Sequence, residues 1–453
     1  MTQDQGLKKE TLSFSEVLAQ SVANIAPSAT PALIIPLVFT SAGNGTWLAY
    51  AVATVAMLFM AAQINTFASR SASSGALYTF TSQGLGPRWG AVSGWSLFLA
   101  YIFTASASMA GFTNYAGVIL DSLFHIKIGV ALGLVLMLGN LVVCWSIAWK
   151  DVQLSTRFML ALELAAVALI LFLVGAYFLK SGHATDPVQA AATGMTPQGL
   201  RMALVLALFS FVGFESATAL GGEAKNPLRS IPKSVLFSVL AVGGFFTLMA
   251  YVLVLAFRGM GTALDKSAAP LVDLAGFAGV PKLGILLSVG ALVGQFACVL
   301  ACINAAARVM YSMSKEGFFP ADAQKVHATH ATPHVAVGAS AVVIGIFPLA
   351  MLIKGTALMD IFGYLGSIAT FGFLLSYALV SIAAPIFLRK RNELNLKAVV
   401  TSVIALTLLA IPIVGSVYPI PDAPYNYLPY FFLAMMIAGV LRIYWMSRRV
   451  PLL

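Results

Sequence analysis

The sequence predicts an all-α membrane protein that crosses the bilayer many times. Of its 453 residues, 60% are hydrophobic and only 9% are charged, whereas soluble domains carry about 25% charged residues. A helix that spans the hydrocarbon core needs about 20 mainly apolar residues, and twelve segments of the chain meet this requirement. These predicted spans lie near 15–42, 46–69, 88–119, 126–147, 156–179, 199–223, 232–257, 281–312, 333–353, 356–388, 396–416 and 427–446. An even number of spans places both termini on one side of the membrane.

The distribution of positive charge indicates which side that is. The chain contains 26 Lys and Arg against 16 Asp and Glu, a net charge of +10. With twelve spans, most of these cations fall in loops on the same side as the termini. Loops that are rich in Lys and Arg face the cytoplasm. We therefore predict cytoplasmic tails at 1–14 and 447–453 and a multi-pass protein of the cell inner (cytoplasmic) membrane. Topology explains the charge, so nucleic acid is not an expected partner, and no cleavable signal peptide is visible.

One predicted span is interrupted by polar residues. The stretch 209–232 reads FSFVGFESATALGGEAKNPLRSIP, with Gly213 and Glu215 inside its apolar first half. Glycine leaves helical geometry most easily, and a carboxylate inside a membrane segment is costly and indicates function. The second half carries charged and turn-forming residues. We therefore predict a helix broken at mid-depth and then a cationic cytoplasmic loop, an arrangement with which secondary transporters build their sites.

The first predicted span is unusual in the same way. Residues 21–36 read SVANIAPSATPALIIP, with Pro27 and Pro31 inside an apolar run. Proline removes a backbone donor and breaks a helix, and backbone groups freed in this way are tolerated only inside protein or beside a wet cavity. A simple proline kink satisfied by neighbouring helices is the alternative. Two prolines within five positions, together with the break near Gly213, favour a binding site.

The two breaks also predict an internal repeat. They fall in spans one and six, and broken helices at corresponding positions of two halves indicate an inverted repeat with a site between its halves. We therefore predict one five-helix repeat over 15–179, a second over 199–388, and two additional helices over 396–446. This division depends on the breaks and on the number of spans, because the halves share no convincing residue-level identity.

The second break carries a resemblance to a known family. It resembles the sixth span of the amino acid–polyamine–organocation (APC) superfamily, in which an F-x-G-F-E core precedes an acidic residue, K-N-P and a basic residue before I-P. The matching residues are Phe211, Gly213, Phe214, Glu215, Glu223, Lys225, Asn226, Pro227, Arg229, Ile231 and Pro232. A second match, AAARVMYSMSKEGFFP at 305–320, is similar to the end of the family's eighth span. The resemblance implies an amino acid permease with a leucine-transporter-like fold. The first span departs from the family pattern, because Ala26-Pro27-Ser28-Ala29 stands where glycines are expected.

The breaks predict how a substrate binds. The N-terminus of a half-helix offers N–H groups and a positive dipole end to a carboxylate, and the C-terminus of another offers carbonyls to an ammonium. The predicted substrate-binding residues are Ala26, Pro27, Ser28, Ala29, Thr30, Phe209, Phe211, Gly213 and Phe214. We expect the N–H groups of 28–30 to hold the carboxylate of an amino acid and the carbonyls of 209–211 to hold its amine. The phenylalanines would close over the ligand, with packing or lipid contact as the alternative.

Glu215 has three interpretations. It binds a cationic ligand, it pairs with another polar group and holds the break open, or it titrates during transport. The resembled family often carries glutamate at this position while transporting neutral amino acids, which favours a coupling or gating role. If Glu215 faces the ligand instead, the substrate is cationic, such as a polyamine.

Glu163 is the second carboxylate inside a predicted span and the expected proton carrier. Its neighbours are apolar, and proton relays in transporters use such residues. An ion pair with Arg157 is the alternative, although six residues separate the two and place them on different helix faces. Sodium coupling is the competing hypothesis. Span eight lacks the adjacent Ser/Thr pair of sodium sites in the resembled fold, which favours protons.

No other pattern predicts a reaction. The sequence contains no phosphate-binding loop, nucleophile elbow or dinucleotide fingerprint, so neither an enzyme activity nor a cofactor is expected. His327, His330 and His334 cluster in one predicted loop, where a solvated loop is favoured over a metal site. The expected function is secondary active transport of an amino acid by alternating access, as proton-coupled symport. An amine or polyamine transporter, or an amino acid/amine exchanger, is the alternative. The sequence leaves open the substrate, the direction and the oligomeric state.

Overall fold

The computed structural model describes residues 10–150, 152–267, 269–418 and 420–447. Most of the two predicted tails, 1–9 and 448–453, lies outside the described residues. The described chain is helical and contains no β-strand. Its helices are α1 (Phe14–Ile25), α2 (Ile35–Ala42), α3 (Thr46–Ala68), α4 (Leu77–Leu85), α5 (Pro87–Phe124), α6 (Val130–Lys150), α7 (Val152–Ser181), α8 (Pro187–Ala190), α9 (Pro197–Phe209), α10 (Pro227–Arg258), α11 (Pro270–Phe277), α12 (Leu283–Lys315), α13 (His334–Ile353), α14 (Leu358–Lys390), α15 (Leu396–Gly415) and α16 (Leu428–Ser447).

Ten stretches of the described chain are long and apolar enough to cross a membrane. The first of them, Phe14–Ala68, has 55 residues and would measure roughly 80 Å as a single helix at about 1.5 Å per residue. A bilayer core is about 30 Å thick, and the chain turns within this stretch, at a 3₁₀ segment over Gly43–Gly45. Helix α9, with 13 residues, is too short to cross alone. The chain is thus an all-helical, multi-pass membrane protein.

The outermost helices expose apolar side chains. In the most apolar stretches of α6, α15 and α16, only 22%, 28% and 22% of the residues are buried. Val135, Val403 and Leu441 of these helices are exposed. Extended apolar surface of this kind marks contact with a membrane. Helix α5 is buried instead: 94% of the residues in its most apolar stretch are buried, and it packs against α12 and α14. Helix α5 therefore forms the centre of the bundle.

The first helix break lies where the sequence predicts it. Helix α1 ends at Ile25, and Ala26 adopts a left-handed backbone with a φ of 49°. Pro27, which has no N–H to donate, follows in a non-helical turn. A π-helical turn over Thr30–Ile34 then leads into α2. The segment from α1 to α2 is therefore one interrupted helix, as predicted for span one.

The second predicted break is also present. Helix α9 ends at Phe209, and α10 does not begin until Pro227. Between them Gly213 has a φ of +93°, a region that residues with a side chain rarely adopt. A Cβ at this position would also stand 2.6 Å from Asn24 Cγ. Glycine is therefore required twice here, for the turn itself and for the close approach of the two breaks.

The course of the chain defines two faces of the molecule. Helices α1 and α10 begin on one face, here called the near face, where the backbone of Leu12 pairs with that of Ala224 in an isolated parallel bridge. Helix α2 ends and α9 begins on the opposite face, here called the far face. There Arg258, at the end of α10, donates a hydrogen bond to Asn44 Oδ1 at 2.6 Å. The two helix breaks lie between these faces.

Candidate functional site

The two breaks enclose a small cavity. Its volume is about 20 Å³, which is room for about one water molecule. It is lined by Asn24, Ile25, Ala26, Ala29, Thr30, Ile34, Thr104, Ser108, Phe209, Val212, Gln295, Cys298 and Phe362. Four of the predicted substrate-binding residues, Ala26, Ala29, Thr30 and Phe209, are among them. None of these lining residues is charged.

Hydrogen bonds fasten the end of α1 to the second break. Ser21 Oγ donates to the Phe214 carbonyl at 2.7 Å and accepts from the Ala217 N–H at 3.2 Å. Ser216 Oγ donates to the Gln20 carbonyl at 3.1 Å. These side chains supply partners that the backbone of a broken helix loses. The first half of span one and the second break are therefore held together as one unit.

Glu163 lies against the first break. It projects from α7, and its Oε1 accepts the Ser28 N–H at 3.0 Å. The Ser28 hydroxyl lies 3.0 and 2.8 Å from the two carboxylate oxygens and 3.4 Å from the Gly290 carbonyl. Both side chains are fully buried, and Gly294 permits the contact, because a Cβ there would stand 3.1 Å from Glu163 Oε2. The carboxylate thus lies at the N-terminal end of the half-helix that leads into α2, where a helix dipole favours negative charge.

Glu215 is the centre of a buried cluster that joins three parts of the bundle. The hydroxyl of Tyr101 on α5 donates to Oε1 at 2.7 Å, and that of Tyr377 on α14 donates to Oε2 at 2.5 Å. Phe214 packs on Tyr377 with ring centroids 5.5 Å apart. Glu215 does not line the cavity. This geometry is that of a carboxylate paired with other polar groups, and its part in gating stays a prediction.

The three predicted phenylalanines occupy different environments. Phe209 lines the cavity and meets Phe362 edge to face, with ring centroids 5.9 Å apart. Phe211 instead packs on Phe246 at 5.4 Å, and Phe214 belongs to the cluster around Glu215. The structure therefore brings one of the three rings to the cavity and places the other two behind it.

A buried ion pair and a backbone bridge join elements at the near face. Arg308 on α12 donates to both carboxylate oxygens of Glu223, at 2.7 and 3.1 Å, and both side chains are at most 2% exposed. The N–H groups of Thr11 and Leu12 donate to the Glu223 carbonyl at 2.9 and 3.0 Å, and the Lys225 N–H donates to the Leu12 carbonyl at 2.9 Å. The segment before α1 is thus joined to the end of the second break.

Arg157, the alternative partner of Glu163, also belongs to the near face. Ser13 and Glu16 form a capping box at the start of α1. Glu16 Oε1 accepts a hydrogen bond from Arg157 Nε at 2.6 Å. Arg157 is therefore paired with Glu16, and Glu163 has Ser28 as its polar contact.

A larger cavity of about 560 Å³ opens on the far face. It is lined by Leu37, Thr40, Ser41, Thr196, Gln198, Gly199, Met202, Val205, Leu206, Ser367, Phe371, Gly415, Ser416, Pro421, Asp422, Ala423, Tyr425 and Leu428. Helix α9 borders both cavities, because Leu206 lines the larger one and Phe209 the smaller one. A movement of α9 would therefore change the shape of both.

Comparison with known proteins identifies the family. The family model described as "Amino acid permease" matches residues 16–447, which is almost the whole chain. The chain belongs to the amino acid permease family. Proteins of this family carry solutes through membranes, so the prediction of a transporter rather than an enzyme is confirmed.

The relatives of this permease are named after different solutes. The branched-chain amino acid permease BcaP of Bacillus subtilis is 28% identical over 375 residues, covering 78% of this chain and 76% of the relative. A methylthioribose transporter of the same organism is 26% identical over 370 residues, covering 79% and 76%. The low-affinity putrescine importer PlaP of Escherichia coli is 28% identical over 365 residues, covering 77% and 75%. Similarity at this level gives the family and not the solute.

The permease has site residues that sequence reasoning did not find. Tyr101 and Tyr377 lie 114 and 162 residues from Glu215 along the chain, and each stands in an apolar helix without a motif around it. The same holds for Thr104 and Phe362 at the cavity. A tyrosine hydroxyl inside an apolar segment needs a partner, but the sequence does not say which carboxylate supplies it.

The histidine cluster forms no metal site in the part of the chain that the structure describes. No group of three or more His, Cys, Asp or Glu is arranged there to hold a metal ion. His327 instead stacks on His330, with ring centroids 4.7 Å apart, and meets His334 edge to face at 5.5 Å.

Proposed function

We propose that this permease moves an amino acid across the cell membrane by alternating access, coupled to protons through Glu163. The observation that carries the proposal is a pair of helix breaks side by side around one cavity, with a buried carboxylate against one of them. Secondary transporters build their substrate sites from broken helices of this kind. The name of one relative, a branched-chain amino acid permease, supports an amino acid as the solute.

The proposed architecture has twelve spans, arranged as two inverted five-helix repeats and two additional helices. The turn at Gly43–Gly45 divides the first apolar stretch into two passes, and α9 with its break forms another. Together they add two passes to the ten recognised by length and hydropathy. The near face is proposed to be cytoplasmic, with both tails there, since the predicted loops of that face carry most of the Lys and Arg residues.

The coupling follows from competition for the Ser28 N–H. An ionised carboxylate only accepts hydrogen bonds, whereas a protonated one carries a donor. Protonation of Glu163 therefore weakens its hold on the Ser28 N–H and hydroxyl, which together lie within 3.0 Å of it. The released N–H then becomes available to the carboxylate of a substrate in the adjacent cavity. In this mechanism proton binding favours substrate binding, and the two ligands move together.

The amine of the substrate has partners at the second break. The Phe209 carbonyl accepts the Val212 N–H at 3.2 Å, and the Phe211 carbonyl accepts the Phe214 N–H at 3.2 Å. Each carbonyl oxygen has a second lone pair, and Phe209 and Val212 line the cavity, with Phe211 next to them in the chain. An ammonium group placed there would lie across the cavity from the first break, so both ends of an α-amino acid would be held.

An amine transporter is the second candidate. The putrescine importer among the relatives favours it, and so would a carboxylate that faced the ligand. Glu215, the carboxylate in the middle of the second break, accepts hydrogen bonds from two tyrosines and lies outside the cavity lining. An amine without a carboxylate would also offer no acceptor to the Ser28 N–H once Glu163 releases it.

The proposal is tested by uptake into proteoliposomes with an imposed pH gradient. Glu163→Gln keeps the shape of the side chain and an acceptor oxygen but cannot exchange a proton. We expect the wild type to concentrate an amino acid when the inside is alkaline, and the variant to exchange the amino acid without responding to the gradient. Glu393→Gln, at an exposed near-face carboxylate, is the matched control and should behave as the wild type.

Two results would contradict the proposal. If Glu163→Gln responds to the gradient as strongly as the wild type, Glu163 is not the coupling group. If putrescine is taken up and no amino acid is, the solute assignment is wrong and the amine alternative holds.

A further inference from the structure

Three polar side chains around the small cavity have an atom without a partner. These atoms are Asn24 Nδ2, Thr30 Oγ1 and Gln295 Oε1. The three residues are 1%, 0% and 3% exposed, and all of them line the cavity. Asn24 is fixed by its other atoms, because Cys302 Sγ donates to its Oδ1 at 2.8 Å and Cys298 Sγ to its carbonyl at 3.2 Å. The Asn24 side chain is therefore held in position with its Nδ2 unpartnered.

Such an arrangement is costly without a ligand. Buried polar atoms almost always have a hydrogen-bond partner, and each exception asks for an explanation. A buried donor or acceptor that is left unpaired destabilises the folded protein, because it has lost its hydrogen bonds to water. Three residues with such atoms, Asn24 of α1, Thr30 of the first break and Gln295 of α12, line one cavity. A polar group of a bound molecule would satisfy them.

The remaining walls restrict what that group can be. Thr104 and Ser108 of α5 add hydroxyl-bearing side chains, and none of the residues lining the cavity is charged. A cationic or anionic side chain would be buried there without a counter-charge, which is strongly unfavourable. The cavity of about 20 Å³ holds about one water molecule, so every bound group must displace packed atoms, and a small group displaces the fewest. The cavity thus fits a small, uncharged and polar group.

We propose that this permease selects small neutral amino acids whose side chain carries a hydrogen-bonding group, with Gln295 and Thr30 as specificity-determining residues. Serine and threonine are the best probes of this class. The inference rests on the proposed function, because the two breaks must hold the α-carboxylate and the amine. The side-chain hydroxyl then meets Gln295 of α12 and Thr30 of the first break.

The proposal predicts that threonine binds more tightly than valine. The two have nearly the same shape, but threonine has a hydroxyl where valine has a methyl group. A ligand group that displaces water from a polar site and cannot replace its hydrogen bonds loses affinity, and sites built to bind a hydroxyl reject analogues that lack it. A pocket for branched aliphatic side chains would show the reverse order.

The test is a thermal-shift titration of the purified permease with threonine, valine, serine and alanine, which yields a Kd for each. We expect threonine to bind about tenfold more tightly than valine, since one unmet polar contact costs on the order of a tenfold change. Serine should exceed alanine in the same direction. Gln295→Leu should reduce the threonine-to-valine ratio to within about twofold by the same reasoning.

Two further variants keep the test decisive. Thr30→Val is nearly isosteric and should also lower the ratio, so the conclusion does not depend on the folding of Gln295→Leu. Ser340→Ala is the matched control, because Ser340 Oγ is another buried atom without a partner but lies on α13, outside the cavity lining. It should leave the ratio unchanged.

The possible failures can be told apart. Tighter or equal binding of valine in the wild type overturns this inference and leaves an amino acid transporter in place. A ratio that is unchanged in both Gln295→Leu and Thr30→Val also overturns it. Binding of putrescine with no binding of any amino acid removes the proposed function and this inference together.

Discussion

A single side chain can join several elements of this structure, and Glu215 is the clearest example. Its two oxygens accept hydrogen bonds from Tyr101 and Tyr377, which belong to different helices. When Glu215 is ionised, each of these bonds contributes about 1.5–3 kcal/mol, roughly twice as much as a bond between neutral groups. One carboxylate therefore ties the second break to both α5 and α14.

The difference in strength between a hydrogen bond to an ionised group and one between neutral groups gives a prediction at the residue scale. Tyr377→Phe should lower the free energy of unfolding by about 1.5–3 kcal/mol, because a buried carboxylate oxygen loses its donor. Tyr50→Phe is the matched control, since the Tyr50 hydroxyl is equally buried but contacts only the neutral Ser210 hydroxyl, at 3.0 Å. Its cost should be about 0.5–1.5 kcal/mol. Chemical denaturation of the purified proteins measures both, and equal costs would contradict the account of the cluster.

The helix breaks are the elements that the sequence predicts best. Pro27 and Gly213 act through local backbone chemistry, the loss of an N–H and access to positive φ, so their effect is visible in the sequence alone. What the breaks contact is set by the fold. The sequence assigned the Ser28 N–H to a substrate, whereas in the structure it donates to Glu163, 135 residues away. No local pattern contains that contact.

The buried ion pair at the near face gives a prediction at the scale of elements. Arg308 and Glu223 connect α12 to the end of the second break and are buried together. Removing one member of a buried ion pair leaves the other charge uncompensated and costs about 3–5 kcal/mol, whereas replacing both by apolar residues is often close to neutral. We expect Glu223→Leu and Arg308→Met each to destabilise strongly and the double variant to regain most of the loss.

The double-mutant cycle on unfolding free energies contains its own control. Additive losses from the two substitutions would show that the pair does not hold these elements together. A double variant much more stable than either single variant is the result that the buried geometry requires.

At the scale of the whole molecule, composition and hydropathy predict a multi-pass helical protein because a bilayer imposes length and apolarity on every span. The motifs around Gly213 and Arg308 predict the family, which the match over residues 16–447 shows. The contacts inside the bundle, in contrast, cannot be predicted from the sequence. Gln295 is one of several polar residues in an apolar helix, and only the fold shows that it lines the cavity with Thr30 and has an unpartnered oxygen.

The central claim is that the cavity between the two breaks is the place where the solute binds. Two native cysteines allow a direct measurement. Cys298 lines this cavity, whereas Cys144 is equally buried on α6, where its Sγ lies 3.3 Å from Asn140 Oδ1. The rate at which N-ethylmaleimide modifies each thiol can be followed by peptide mass spectrometry, with and without an amino acid that raises the melting temperature.

We predict that an amino acid at ten times its Kd slows modification of Cys298 by about tenfold, because only about one molecule in eleven then has an empty site. Modification of Cys144 should not change. Unaltered rates at both cysteines, or an equal slowing of both, would contradict the claim and place solute binding elsewhere in the permease.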